Sequence, residues 1–167
     1  MAFDEKIEHY ALQRHIVPGH DLIKTPEQIE GIRQSSKLNI AILDEIADKI
    51  HIGMSTEEID RIVVDMTKQM GGISATLGYE GYPKSVCTSI NEEVCHGIPD
   101  PERLLQDGDI VNVDVSTIYN GYFSDSSRMF MLGDVAPETK KLVQVARECI
   151  DIGLEQVKPW NFLGDMA

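Results

Sequence analysis

Residues 108–132 read GDIVNVDVSTIYNGYFSDSSRMFML, and they decide the architecture of this 167-residue chain. Ile110, Val111, Val113, Val115 and Ile118 are strand formers. Tyr122, Phe123, Met129 and Phe130 resume the pattern after Tyr119-Asn120-Gly121, which has turn chemistry. The stretch predicts a β-hairpin. Each strand carries one aspartate among apolar neighbours, Asp114 and Asp125. Side chains alternate faces along a strand, so the pairing decides whether these two meet. Paired residues in an antiparallel hairpin have a constant index sum. The sum is odd for Asp114 with Asp125, and odd for any pairing across a two- or four-residue loop. Both carboxylates then share one face, directly opposite or one diagonal step apart, within about 4.5–8 Å.

Two like charges so placed repel unless a cation lies between them. Carboxylates suit Mn, Fe, Co or Zn. Alternatively, each aspartate caps a bend or faces water, as on any solvated sheet face. The apolar residues around both favour the metal.

The rest of the chain fits one domain with a true core. A protein of this length buries about 70% of its unfolded surface. Hydrophobic residues make up 42% and charged residues 26%, ordinary values for a globular protein. The net charge of −13 argues against nucleic-acid or anionic-membrane partners. No apolar run approaches a membrane span, and no signal-like apolar stretch comes after Met1. Cys87, Cys95 and Cys149 are odd in number and scattered, which reads as reduced thiols of a cytoplasmic protein.

Residues 1–24 read as a loosely attached arm. Phe3–Leu12 suits a short helix, Ile16-Val17-Pro18-Gly19 a turn, and His9, His15 and His20 surface positions. The first strong helix begins after Thr25, an N-cap with Pro26 next and Gln28 completing a capping box. Ile29, Ile32, Ser36, Ile40, Leu43, Ala47 and Ile50 predict its apolar stripe. Ser55 and Glu58 cap a second helix with Ile59, Ile62, Val63 and Met66 inside. Lys84–Ile90 alternates as a strand after a bend at Gly78, Gly81 and Pro83, which Tyr79 and Tyr82 flank. His96 sits on a Gly/Pro-bounded loop near the candidate metal hairpin, a better functional candidate than most histidines. After the hairpin, Asp134–Pro137 starts another amphipathic helix. Pro159 ends it, and Asn161 is placed to cap a second helix starting at Phe162. The helix–break–cap–helix order thus starts to repeat, as in a duplicated half-fold.

Several motifs together carry a resemblance: Gly81-Tyr82-Pro83-Lys84-Ser85-Val86-Cys87, Ile90-Asn91-Glu92, Val94-Cys95-His96-Gly97-Ile98-Pro99, Gly108–Val115 and Asp125-Ser126-Ser127-Arg128-Met129-Phe130. From about Thr25 to about Lys158 the chain resembles the type I methionine aminopeptidases. The resemblance implies an α/β (α+β) pita-bread fold with a dinuclear site for Co, Mn, Fe or Zn. It implies that Asp114 chelates one metal and Asp125 bridges both. His96 would contact the scissile amide, and Tyr79, Tyr82 and Cys87 would line a methionine pocket. The metals would polarise the carbonyl and activate a water. The implied partner is the N-terminus of a nascent peptide.

Three departures stand out. Ser124 and Trp160 each replace a glycine usual in the family. The family's remaining ligands, one histidine and two glutamates, lie beyond the point where this sequence ends. The expectation is therefore an N-terminal half-fold plus one helix. Residues 25–167 would form an incomplete catalytic domain, inactive alone. The alternative is a non-catalytic module that binds a partner or pairs as a homodimer.

Overall fold

The hairpin forms as predicted and is the spine of the only sheet among the described residues. The computed structural model describes residues 3–17 and 19–166. Its elements are α1 (Phe3–Leu12), α2 (Pro26–Lys49), α3 (Thr56–Gln69), β1 (Ile73–Ser74), β2 (Cys87–Ile90), β3 (Ile110–Tyr119), β4 (Tyr122–Met131) and α4 (Pro137–Glu155). β3 and β4 pair antiparallel from Ile110↔Met131 to Tyr119↔Tyr122. Asn120 and Gly121 alone join them, with φ of +50° and +83°. Two successive positive φ values suit the tight hairpin turn that Asn-Gly favours. The other edge of β3 is shared. β2 pairs with its first half, Cys87↔Asp114 to Ile90↔Val111, and β1 with its end, Ile73↔Ile118 and Ser74↔Thr117.

Alternation sorts β3 cleanly. Val111, Val113, Val115 and Thr117 are fully buried toward the helices. Asn112, Asp114 and Ser116 take the opposite face and are half-buried. α2 packs on β3 and β4 and against α3, closing a core of Leu38, Ile42, Leu43, Ile46, Ile59 and Val63 with the strand valines. Both predicted capping boxes form, Thr25 with Gln28 and Ser55 with Glu58.

The buried face of α2 is not the predicted stripe. Ser35, Leu38, Asn39, Ile42, Leu43 and Ile46 are buried, whereas Ile29, Ile40 and Ala47 are exposed. The true face is rotated by about one residue, near 100° around the helix axis. Ser35 and Asn39 caused the error, because two polar residues sit on the inward side. The predicted strand Lys84–Ile90 is also shorter, starting at Cys87. Lys84 and Ser85 instead tie the chain to α3. Lys84 pairs with Glu57, and the Ser85 N–H donates to Asp60 Oδ1 at 2.7 Å.

The N-terminal arm is not loose. α1 forms as predicted, and Tyr10 stacks on Trp160 with ring centroids 6.0 Å apart. Phe162 meets the edge of Tyr10 and tilts against His15, while Lys6 Nζ lies 4.5 Å over the Trp160 ring. Aromatic contacts that no periodicity reports therefore hold the arm to the segment after α4. His9, His15 and His20 are exposed, as expected. Of the predicted turn at residues 16–19, Pro18 lies outside the described residues. Trp160 has φ +75°, a backbone region that favours glycine. Asn161 is not a cap: its Nδ2 donates to the Gln156 carbonyl. The Asp165 carboxylate accepts the Phe162 N–H and closes a 3-10 turn, so the predicted second helix does not begin there. α4 starts at Pro137 as predicted, but its apolar residues Leu142, Ile150 and Ile152 are exposed.

Candidate metal centre

The hairpin register places Ser116 opposite Asp125 and Ser127 opposite Asp114. The two aspartates are therefore one diagonal step apart, on the face turned away from α2. Burial pushes the Asp114 carboxyl up to about 6; the negative charge of Asp125 and a hydrogen bond with it add to this, and His96 opposes it. A half-buried acid facing a second carboxylate gains most from a cation between them. Both donors are hard oxygens, so the pair fits a divalent metal as part of a ligand set. Among the described residues, no group of three or more His, Cys, Asp or Glu is arranged to hold a metal ion.

All six residues singled out in the sequence, Tyr79, Tyr82, Cys87, His96, Asp114 and Asp125, line one cleft of about 690 Å³. Cys87 enters through the sheet, as the β2 residue paired with Asp114. It is buried, and burial raises its thiol pKa, so the neutral thiol presents a small soft surface to the cleft. Tyr79 is exposed on the 3-10 turn Tyr79–Gly81. Tyr82 is half-buried, and its hydroxyl reaches the carbonyls of Val86 at 3.1 Å and Gly97 at 3.0 Å. Burial is the first cause of its raised pKa, which keeps the hydroxyl a donor. Tyr82 thus fastens the His96 loop to the start of β2 as well as lining the cleft.

That loop is strained where it carries the histidine. Cys95 and His96 have φ of +55° and +36°. Non-glycine residues in such regions persist only where their surroundings hold them. Here the holding is visible. The Gly97 N–H donates to Ser89 Oγ, and the Gly97 carbonyl accepts the Thr88 N–H at 2.8 Å. A Cβ on Gly97 would fall 2.1 Å from the Thr88 carbonyl oxygen, so only glycine allows the approach.

Phe123, Ser116 and Thr76 also line the cleft and were not singled out in the sequence. Phe123 was findable, since it shares the parity of Asp125 and hence its face. Phe130 has the opposite parity and packs partly buried on the core.

Residues 30–167 match the model of metallopeptidase family M24. Methionine aminopeptidase A of Synechocystis is 49% identical over 140 residues, which cover 84% of this chain and 55% of that relative. Methionine aminopeptidase of Escherichia coli is 47% identical over 138 residues, 82% of this chain and 52% of the relative. The crystal structure of methionine aminopeptidase from Thermotoga maritima aligns with a TM-score of 0.79 at 34% identity, over 82% of this chain and 55% of that one. The chain spans about half the length of these relatives.

Proposed function

The chain belongs to metallopeptidase family M24, and from that premise we propose that it forms the aspartate-bearing half of a methionine aminopeptidase, which removes the initiator methionine from nascent proteins in the cytoplasm. The fold is of the pita-bread type, and the family implies use of divalent metal. The observation that carries the proposal is the convergence of Asp114, Asp125, His96, Cys87, Tyr79 and Tyr82 on one cleft.

In this reading Asp114 and Asp125 hold Co, Mn, Fe or Zn, two ions in a complete site. When bound, the metal supplies Lewis-acid polarisation of the scissile carbonyl and an activated water. The chain's own residues do the rest. His96, on its strained loop, donates to the amide as charge develops on it. Cys87, Tyr79 and Phe123 receive an unbranched thioether side chain. Two carboxylates alone fall short of the four to six ligands such metals take. The 167-residue chain by itself is therefore expected to be inactive.

The test joins residues 1–167 to the part of the Escherichia coli relative that they do not match. Methionine release from a Met-Ala-Ser peptide, lost on Asp125→Asn and strongly reduced on His96→Ala, is the expected result. A folded chimera without turnover, or turnover that survives Asp125→Asn, would count against the proposal.

A further inference from the structure

α2 meets the hairpin through polar atoms directly beneath the paired aspartates. Asn39, Ser35 and Thr117 have no exposed surface. Asn39 Nδ2 donates to the Val115 carbonyl at 2.6 Å, and lies 3.4 Å from the Ser124 carbonyl and 3.5 Å from Thr117 Oγ1. Three acceptors around one nitrogen settle which amide atom is the donor. Val115 is the residue after Asp114 in β3, and Ser124 precedes Asp125 in β4. One side chain therefore holds the backbone of both strands beside both aspartates. A second tie lies alongside. Ser124 Oγ is 2.9 Å from Ser35 Oγ and 2.9 Å from Thr117 Oγ1.

Among the described residues, the buried Asn39 Oδ1 has no hydrogen-bond partner. An orphaned polar atom in a core is costly, and an aliphatic side chain of similar size would exchange that cost for the loss of the donor to the Val115 carbonyl. What an aliphatic side chain lacks is direction, since it cannot fix two carbonyls relative to each other. The half-buried Asp114 faces the negative charge of Asp125, and the clamp adds to the ladder hydrogen bonds that hold the two strands together against that repulsion.

We propose that Asn39, supported by Ser35 and Ser124, is a positioning residue for the candidate metal centre. Within the register that the ladder sets, it steadies the backbone from which Asp114 and Asp125 project by holding the carbonyls of Val115 and Ser124. The proposal rests on the reading of those aspartates as metal ligands. Removing outer-shell groups of this kind typically changes metal affinity by about 10- to 100-fold.

The experiment uses the whole 167-residue chain and Mn²⁺ alone. Asn39→Ala and the milder Ser35→Ala, both on α2, are compared with Ile59→Val, a core change on α3 that touches neither tie. Mn²⁺ affinity is measured by calorimetry and backbone amide exchange without metal. Both α2 variants should lose about tenfold in Mn²⁺ affinity. Both should also exchange faster at Ser116, Asp125 and Ser126 than at the end rung Ile110–Met131. Ile59→Val should lower the melting temperature and do neither. If Asn39→Ala does not fold, Ser35→Ala carries the test. If Asp125→Asn abolishes Mn²⁺ binding while both α2 variants retain wild-type affinity, the positioning proposal is overturned. Exchange that rises uniformly along β3 and β4 also overturns it. If the wild-type chain binds no Mn²⁺, or Asp125→Asn leaves binding unchanged, the metal reading itself fails.

Discussion

Ser116 Oγ donates to Asp125 Oδ1 at 2.7 Å, straight across the hairpin. The bond holds one carboxylate oxygen of Asp125 beside its own rung, one step from Asp114. The pair is thus preset before any metal arrives. The free-energy cost of presetting falls on Asp114, the more deeply placed of the two.

That cost makes the metal-free chain sensitive to pH in a definite direction. An unfolded aspartate titrates at about 3.9, whereas Asp114 is pushed up to about 6. The folded state binds this proton more tightly, so the associated stability is fully present below about pH 4. It shrinks as pH rises and is gone above about 6. Asp114→Asn should therefore show a smaller fall in melting temperature than wild type between about pH 4.5 and about pH 7. Equal falls would mean that Asp114 titrates normally.

Tyr82→Phe removes only a hydroxyl, yet that hydroxyl serves the carbonyls of Val86 and Gly97. A net loss of about 1 kcal/mol is expected from urea unfolding. In the active chimera the loosened His96 loop should lower kcat more than it raises KM. No change in either measurement would show that the tie is idle.

Trp160 is the only tryptophan in the chain, so its fluorescence reports the docking of the arm. Tyr10→Ala removes the stacked ring. The emission should shift to the red as water reaches the indole. An unchanged spectrum would show that α1 does not rest there in solution.

The outer sheet face exposes Phe123, Met129, Met131 and Ile73, with 64%, 38%, 49% and 65% of their surfaces accessible. Phe123 and Ile73 lie at one end of that face and Met129 and Met131 at the other, with Asp125 and Ser127 between them. For the 167-residue chain alone, we expect a second copy related by a two-fold axis to cover these apolar ends. The net charge of −13 opposes it, so association should tighten as salt screens the repulsion. Sedimentation at low and high salt is the measurement. A monomer under both conditions would reject the pairing.

The sequence by itself determined the hairpin, its turn and the shared face of its aspartates. These are local matters: strand alternation has a period of two, and Asn-Gly fixes the loop length. It also determined both capping boxes, since each is complete within four residues. The six cleft residues were legible through motifs, but only the tertiary structure showed them meeting around one cavity. The inward face of α2 was decided at the tertiary level too. Hydrophobic periodicity assumes that buried means apolar, and Ser35 and Asn39 break that assumption because their partners are backbone and hydroxyl groups more than 75 residues away (Asn39 to Val115, for example). The docking of α1 on Trp160 was decided there as well, since a contact between rings 150 residues apart, as in Tyr10 and Trp160, leaves no trace in the periodicity of either segment.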